Sequence, residues 1–185
     1  MSRMKTFFPV FIGTALIMSG ANVYASSNAQ LTVTANIVQK TCDVSISTPN
    51  IDLGNYSPAQ FKEAGVAKPI SESVRNFILG LSNCDIPLAK GDVASLTVTG
   101  QTIPGFDTIF NSNNMNAGVM LNEAGKDTFI ANGQKIEVAT AGETPSESDF
   151  NNKTLNMQVG LASTSLDNIA AGNIQAPILF SFTYN

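Results

Sequence analysis

Apolar and polar residues alternate most clearly at the end of the chain, where Ile178, Phe180, Phe182 and Tyr184 take every second position. That period of two predicts a strand with one buried face. A second alternating stretch lies near the front, where Leu31, Val33, Ala35 and Ile37 are interleaved with Thr32, Thr34 and Asn36. An apolar strand with an open edge is an aggregation hazard unless something covers it. The two stretches together suggest head-to-tail pairing, in which the front strand of one molecule covers the last strand of another.

Between them, Val44 and Ile46 keep the alternation but on even positions, so the presented face switches between Ile37 and Cys42. The switch is read as the border between a detachable arm and the first strand of the domain. Residues 51–56 are expected as a short strand, and Ser57, Pro58 and Gly65 as the cap, first turn and stop of a single helix. Residues 74–84 carry Phe77, Leu79 and Leu81 on one strand face, and further strands are expected at 96–99, 119–121, 129–130, 136–138 and 155–161. Turn-forming clusters separate them at Pro104-Gly105, Asn111 to Asn116 and Thr140 to Ser148. Many short strands with turn signals between them predict an all-β sandwich.

The front of the sequence sets the compartment. Arg3 and Lys5 precede a mainly apolar run from Phe7 to Met18, and Val23-Tyr24-Ala25 fits a cleavage site, so residues 1–25 are expected to be a secretory signal. The apolar run falls short of the ~20 residues that cross a bilayer as a helix. What remains of the 185 residues is the size of one domain. The formal net charge of −4 becomes more acidic once Arg3 and Lys5 leave with the signal, which gives no footprint for nucleic acid or anionic lipid. Cys42 and Cys84 both lie in the exported part, where thiols oxidise. A bridge between them is expected to add about 4 kcal/mol by restricting the unfolded chain, and two free buried thiols are the alternative.

Candidate chemistry is sparse. The chain has no histidine, which removes the commonest general base and metal ligand along with Ser-His and Cys-His triads. With the cysteines bridged, no zinc site of the Cys and His type remains, so neither a catalytic residue, a metal nor a cofactor is expected. A carboxylate pair for sugar hydrolysis has candidates among the 14 Asp and Glu, but acids in polar loops are usually solvated surface. Asn152-Lys153-Thr154 matches a glycosylation sequon that also arises often by chance.

Four features, read jointly, resemble the pilin subunits of bacterial chaperone–usher fimbriae of the type 1 kind. They are the C-terminal run with penultimate Tyr184, Gly172 fourteen positions from the end and alternating Ile178, Phe180 and Phe182 between; the stretch Phe77 to Asp85 leading into Cys84; Cys42 before it; and the arm from Ser26 to about Ile37. The resemblance implies an incomplete immunoglobulin-like β-sandwich lacking its last strand and completed by a donor strand from another chain. It divides the sequence into a signal (1–25), an N-terminal donor-strand extension (26–37) and a pilin domain (38–185). Leu31, Val33, Ala35 and Ile37 would plug a neighbour's groove, Ala35 standing where many relatives have glycine. Gly172, Ile178, Phe180, Phe182, Tyr184 and Asn185 would form the strand bound first by a periplasmic chaperone and then, at the outer-membrane usher, by the next subunit.

The implied function is a non-enzymatic structural subunit that passes through the periplasm, polymerises by donor-strand exchange on the cell surface and contributes to cell adhesion. A secreted, monomeric carbohydrate-binding β-sandwich is the alternative. Such modules usually stack sugars on exposed aromatic rings, and this chain has no tryptophan.

Overall fold

The computed structural model describes residues 41–113 and 116–184. The expected signal and arm, including Leu31, Val33, Ala35 and Ile37, lie outside the described residues, as does Asn185. The described strands are β1 (Asp43–Ile46), β2 (Arg75–Ser82), β3 (Val93–Gly100), β4 (Thr102–Ile103), β5 (Phe106–Phe110), β6 (Ala117–Glu123), β7 (Lys135–Thr140), β8 (Thr154–Ser163) and β9 (Ile178–Tyr184). They form two sheets, one of six strands in the order β1-β2-β8-β6-β5-β4 and one of three in the order β7-β3-β9. Every ladder is antiparallel.

Alternation accounts for the main strands. Phe77, Leu79 and Leu81 of β2 turn one buried face to the core, and the residues between them are more exposed. In β3, Ala94, Leu96 and Val98 do the same from the other sheet. The apolar residues of both inner faces then join a single core that also takes Phe110, Phe150 and Met157. Gly100 lets that core close, because a side chain there would meet Phe110 at 2.9 Å and the Pro177 carbonyl at 3.0 Å.

The centre of the six-stranded sheet is buried on both faces. Ile109, Met120 and Ala162 form a second, smaller cluster beneath Ala67, Ile103, Phe106 and Phe129. Strand β5 therefore buries both Ile109 and Phe110, one in each cluster, which breaks the period of two that would have marked it. The covering segment is stitched to β8: the Ala67 N–H donates to the Ser163 carbonyl (2.8 Å) and the Ile70 N–H to the Leu161 carbonyl (2.8 Å). Fully buried Ser73 completes the seam, its hydroxyl accepting from the Leu161 N–H (2.8 Å) and donating to the Ile70 carbonyl (2.7 Å).

Two sequence expectations need correction. Residues 51–56 are not a strand: no described strand pairs with them, and the segment is pinned instead by Gly54 N–H to Asp52 Oδ1 (2.9 Å) and by Tyr56 Oη to the Leu53 (2.9 Å) and Glu72 (3.0 Å) carbonyls. Residues 129–130 contribute only an isolated bridge from Phe129 to Asn122, because Phe129 serves as a lid on the outer cluster. The helix does form, as α1 (Pro58–Ala64). Gln60 Oε1 reaches back to the Ser57 N–H (2.8 Å), and Gly65, at φ 99, closes the last turn by donating to the Phe61 carbonyl (3.0 Å).

Candidate functional site: an open groove beside the C-terminal strand

Among the described residues, strand β9 is bonded on one side only. Its seven residues pair in register with β3, from Ile178 opposite Gly100 to Tyr184 opposite Ala94, and it forms the margin of its sheet. Strand β1 is likewise the margin of the other sheet. Between these two margins the sandwich is open along a cleft of about 1000 Å³.

The floor of the cleft is the inner face of the six-stranded sheet, with Phe77 of β2, Val119 and Leu121 of β6 and Val159 and Leu161 of β8. One wall is Ile178 and Phe180 of β9 together with Ile169, Ile174 and Ala176 ahead of it. The opposite wall is the end of β1 and the segment after it, with Ile46, Ile51, Leu53 and Tyr56. Phe77 and Phe180 meet at the bottom with ring centres 6.0 Å apart in a tilted pair.

The apolar side chains of β9 point into the molecule yet stay only half-buried. Ile174, Ala176, Ile178, Phe180, Phe182 and Tyr184 all pack on the core without reaching the burial of Leu96 or Val98 on the neighbouring strand. Burial is worth roughly 25 cal/mol per Å² of apolar surface, so this face has stabilisation still to gain from a covering strand. The alternation visible from Ile178 onward extends back to Ile174.

Polar bonds hold the two ends of the groove. At the Ile178 end the Asn-rich turn after β5 grips the segment leading into β9: the Ser112 N–H donates to the Gln175 carbonyl (2.8 Å) and Asn113 Nδ2 to the Asn173 carbonyl (2.8 Å). At the other end Tyr184 is the anchor. Its hydroxyl donates to Asp92 Oδ2 (2.5 Å) and accepts from the Leu88 N–H (2.9 Å), and its ring stands edge-on to Phe150 at 5.9 Å. Burial, reinforced by the neighbouring Asp92 carboxylate, pushes the Tyr184 phenol above its ordinary range.

The cysteines are joined. Cys42 and Cys84 form a disulfide with a Cα–Cα distance of 4.1 Å, linking the start of β1 to the residues after β2. Beside it, Asn151 Oδ1 accepts from the Cys84 N–H (2.9 Å), and Asn83, at φ 51, donates through Nδ2 to Asp43 Oδ2 (2.7 Å).

Of the residues singled out in the sequence, Ile178 and Phe180 line the cleft, and Gly172 lines it from the exposed segment ahead of β9. Phe182 and Tyr184 face the core beyond its end. Sequence reasoning did not find the floor or the opposite wall. No local signal marks Leu53 or Val159 as groove residues, since their role comes from an opening between sheets.

The fold and its opening belong to a known class of exported subunits. A family model described as fimbrial protein matches residues 28–185, and the chain belongs to that family. It is 28% identical over 183 residues to the S-fimbrial adhesin protein SfaS of Escherichia coli (strain 536), covering 95% of this chain and 96% of that protein. Among solved structures, it resembles the P pilus rod subunit PapA with a TM-score of 0.56 at 20% identity, covering 78% of this chain and 99% of PapA. A subunit in the structure of a chaperone–usher pilus gives a TM-score of 0.52 at 20% identity over 89% of this chain and all of that one. A Burkholderia pseudomallei antigen and type I fimbria protein gives 0.52 at 16% identity over 79% of this chain. The chain is thus a fimbrial pilin subunit with an incomplete immunoglobulin-like sandwich, the missing strand being the one that would lie along the free edge of β9.

Proposed function

We propose that this protein is a non-enzymatic structural subunit of a chaperone–usher fimbria, polymerising by donor-strand exchange and contributing to adhesion. The single observation that carries the reading is the cleft along β9, apolar on its floor and open at its edge. Strand addition to an exposed sheet edge fills such a gap, and chaperone–pilin complementation is a known case of it. In this reading residues 1–25 direct export, residues 26–37 are the donor arm and residues 38–185 the receiving domain. Leu31, Val33, Ala35 and Ile37 enter the groove of a neighbour. A periplasmic chaperone occupies the groove first, the outer-membrane usher exchanges it for the arm of the next subunit, and the fibre stands on the cell surface.

Magnitudes fix what must hold such a joint. Burying Leu31, Val33 and Ile37 contributes roughly 5 to 9 kcal/mol, at about 1.5 to 3 kcal/mol each. Ordering about ten arm residues costs on the order of 10 to 20 kcal/mol of backbone entropy. Ladder bonds along β9 and completed burial of its half-covered face supply the balance. The joint then persists through slow unfolding.

The test is a thermal melt of the exported chain lacking residues 26–37, with and without a synthetic peptide of that sequence. A large rise in melting temperature on adding the peptide is expected. A truncated chain that melts high and ignores the peptide would point to a complete sandwich, and with it to the monomeric carbohydrate-binding module.

A further inference from the structure

The turn between β2 and β3 carries a conspicuous pair of apolar side chains. Leu88 is 76% exposed and Ile86 46% exposed, the former more than any other large hydrophobic residue described. An exposed leucine is ordinary on a loose loop, but this loop is fixed. The Leu88 and Ala89 N–H groups both donate to Asp92 Oδ2 at 2.8 Å, and the Leu88 N–H also meets the Tyr184 hydroxyl. Pro87 between the two residues is buried and keys the turn to the domain. The knuckle is therefore presented rigidly.

Its place in the molecule suggests what it meets. The described chain begins at Thr41, whose N–H donates to Asp85 Oδ2 (3.0 Å) while the Asp85 N–H donates to the Thr41 carbonyl (3.1 Å). The chain ahead of Thr41 is therefore joined to the domain beside Asp85, the residue next to Ile86. Only residues 38–40 separate the last donor residue, Ile37, from that anchor. Four extended steps reach at most about 14 Å.

A donor that continues the antiparallel pattern of both sheets runs opposite to β9, so its C-terminal residue, Ile37, stands at the Ile178 end of the receiving groove. Pro177, next to Ile178, and Pro49, on the opposite wall after β1, both exposed, line that cleft.

We propose that Ile86 and Leu88 of one copy seat against Pro49 and Pro177 of the copy that receives its arm. The inference rests on the donor-arm reading above and adds a second, domain-to-domain contact to it. The contact is heterologous and head-to-tail, so it repeats along a fibre without closing into a ring. Its effect is to set the angle between successive domains.

Cysteine cross-linking in polymers of the exported full chain tests it. Leu88→Cys combined with Pro177→Cys in the same chain, treated with a short thiol-selective bismaleimide, is expected to give a ladder of covalent multimers on a reducing gel. Each single variant should stop at dimers. If the double variant melts below the parent, Ile86→Cys with Pro49→Cys serves as a second pair. Polymers that form, with a peptide response intact but no ladder from either pair, would overturn the domain contact and leave the donor arm standing. Chains that neither polymerise nor respond to the peptide would overturn both.

Discussion

Phe180 is the residue at which an open and a completed domain should differ most. Its ring lies at the bottom of the cleft against Phe77, half-buried, with its backbone opposite Val98. Phe-to-Ala changes at fully buried sites cost about 3 to 5 kcal/mol. With up to about a third of its surface still open, Phe180→Ala should cost the arm-less domain roughly two thirds as much, on the order of 2 to 3 kcal/mol. Once a donor strand covers the cleft the ring becomes part of a closed core, and the cost should approach the full value. The peptide of residues 26–37 should therefore stabilise the variant less than the parent by roughly 1 to 2 kcal/mol. For a domain of this size that difference is about 2 to 8 °C in the peptide-induced shift of melting temperature. The matched control is Leu179→Ala, one residue away, whose side chain is 62% exposed on the opposite face. It should stay within about 0.5 kcal/mol with or without peptide. Calorimetric melts of the three chains at saturating peptide provide the comparison. An equal cost for Phe180→Ala in both states, or a larger cost at Leu179, would refute the assignment of this cleft as the receiving groove.

Three further outcomes follow from the geometry. Because the Tyr184 phenol has a raised pKa in the fold, the folded chain holds that proton more tightly than the unfolded one; stability should be fully present below about 10 and fall as pH rises above it, and Tyr184→Phe should flatten that alkaline decline in denaturant titrations. Reducing the Cys42–Cys84 bridge, which spans 42 residues, should lower stability by about 2 to 5 kcal/mol, read as a drop in urea midpoint on adding reductant that Cys42→Ser/Cys84→Ser does not show. Ser73→Ala should cost about 1 to 3 kcal/mol, since it leaves the buried Leu161 N–H without its acceptor, whereas Ser71→Ala on the exposed side of the same turn should be near neutral in the same melts.

How much of this was legible in the sequence depended on how many faces each strand buries. Strands with one buried face, such as β2 and β9, declare themselves through a period of two. Strand β5 did not, because Ile109 and Phe110 are neighbours that serve two different clusters. The apolar segment at 51–56 misled in the opposite direction, its residues being apolar because they wall a cleft. Half of the candidate site was visible as the alternation ending at Tyr184. The other half, the floor and the far wall, is assembled from residues distant in sequence, and the partnership of Tyr184 with Asp92 spans most of the domain.

The disulfide has a mechanical side. In the donor-arm reading proposed above, a fibre under tension would load each domain at Thr41, immediately before Cys42. Without the bridge, that load would fall on β1, a four-residue strand at the margin of its sheet, and would unzip its pairs with β2 one after another. With the bridge, force passes from Cys42 across to Cys84 and enters the chain beyond β2, a strand flanked on both sides by β1 and β8. The short first strand is thereby shielded from traction, and the domain resists stretching through the interior of its larger sheet.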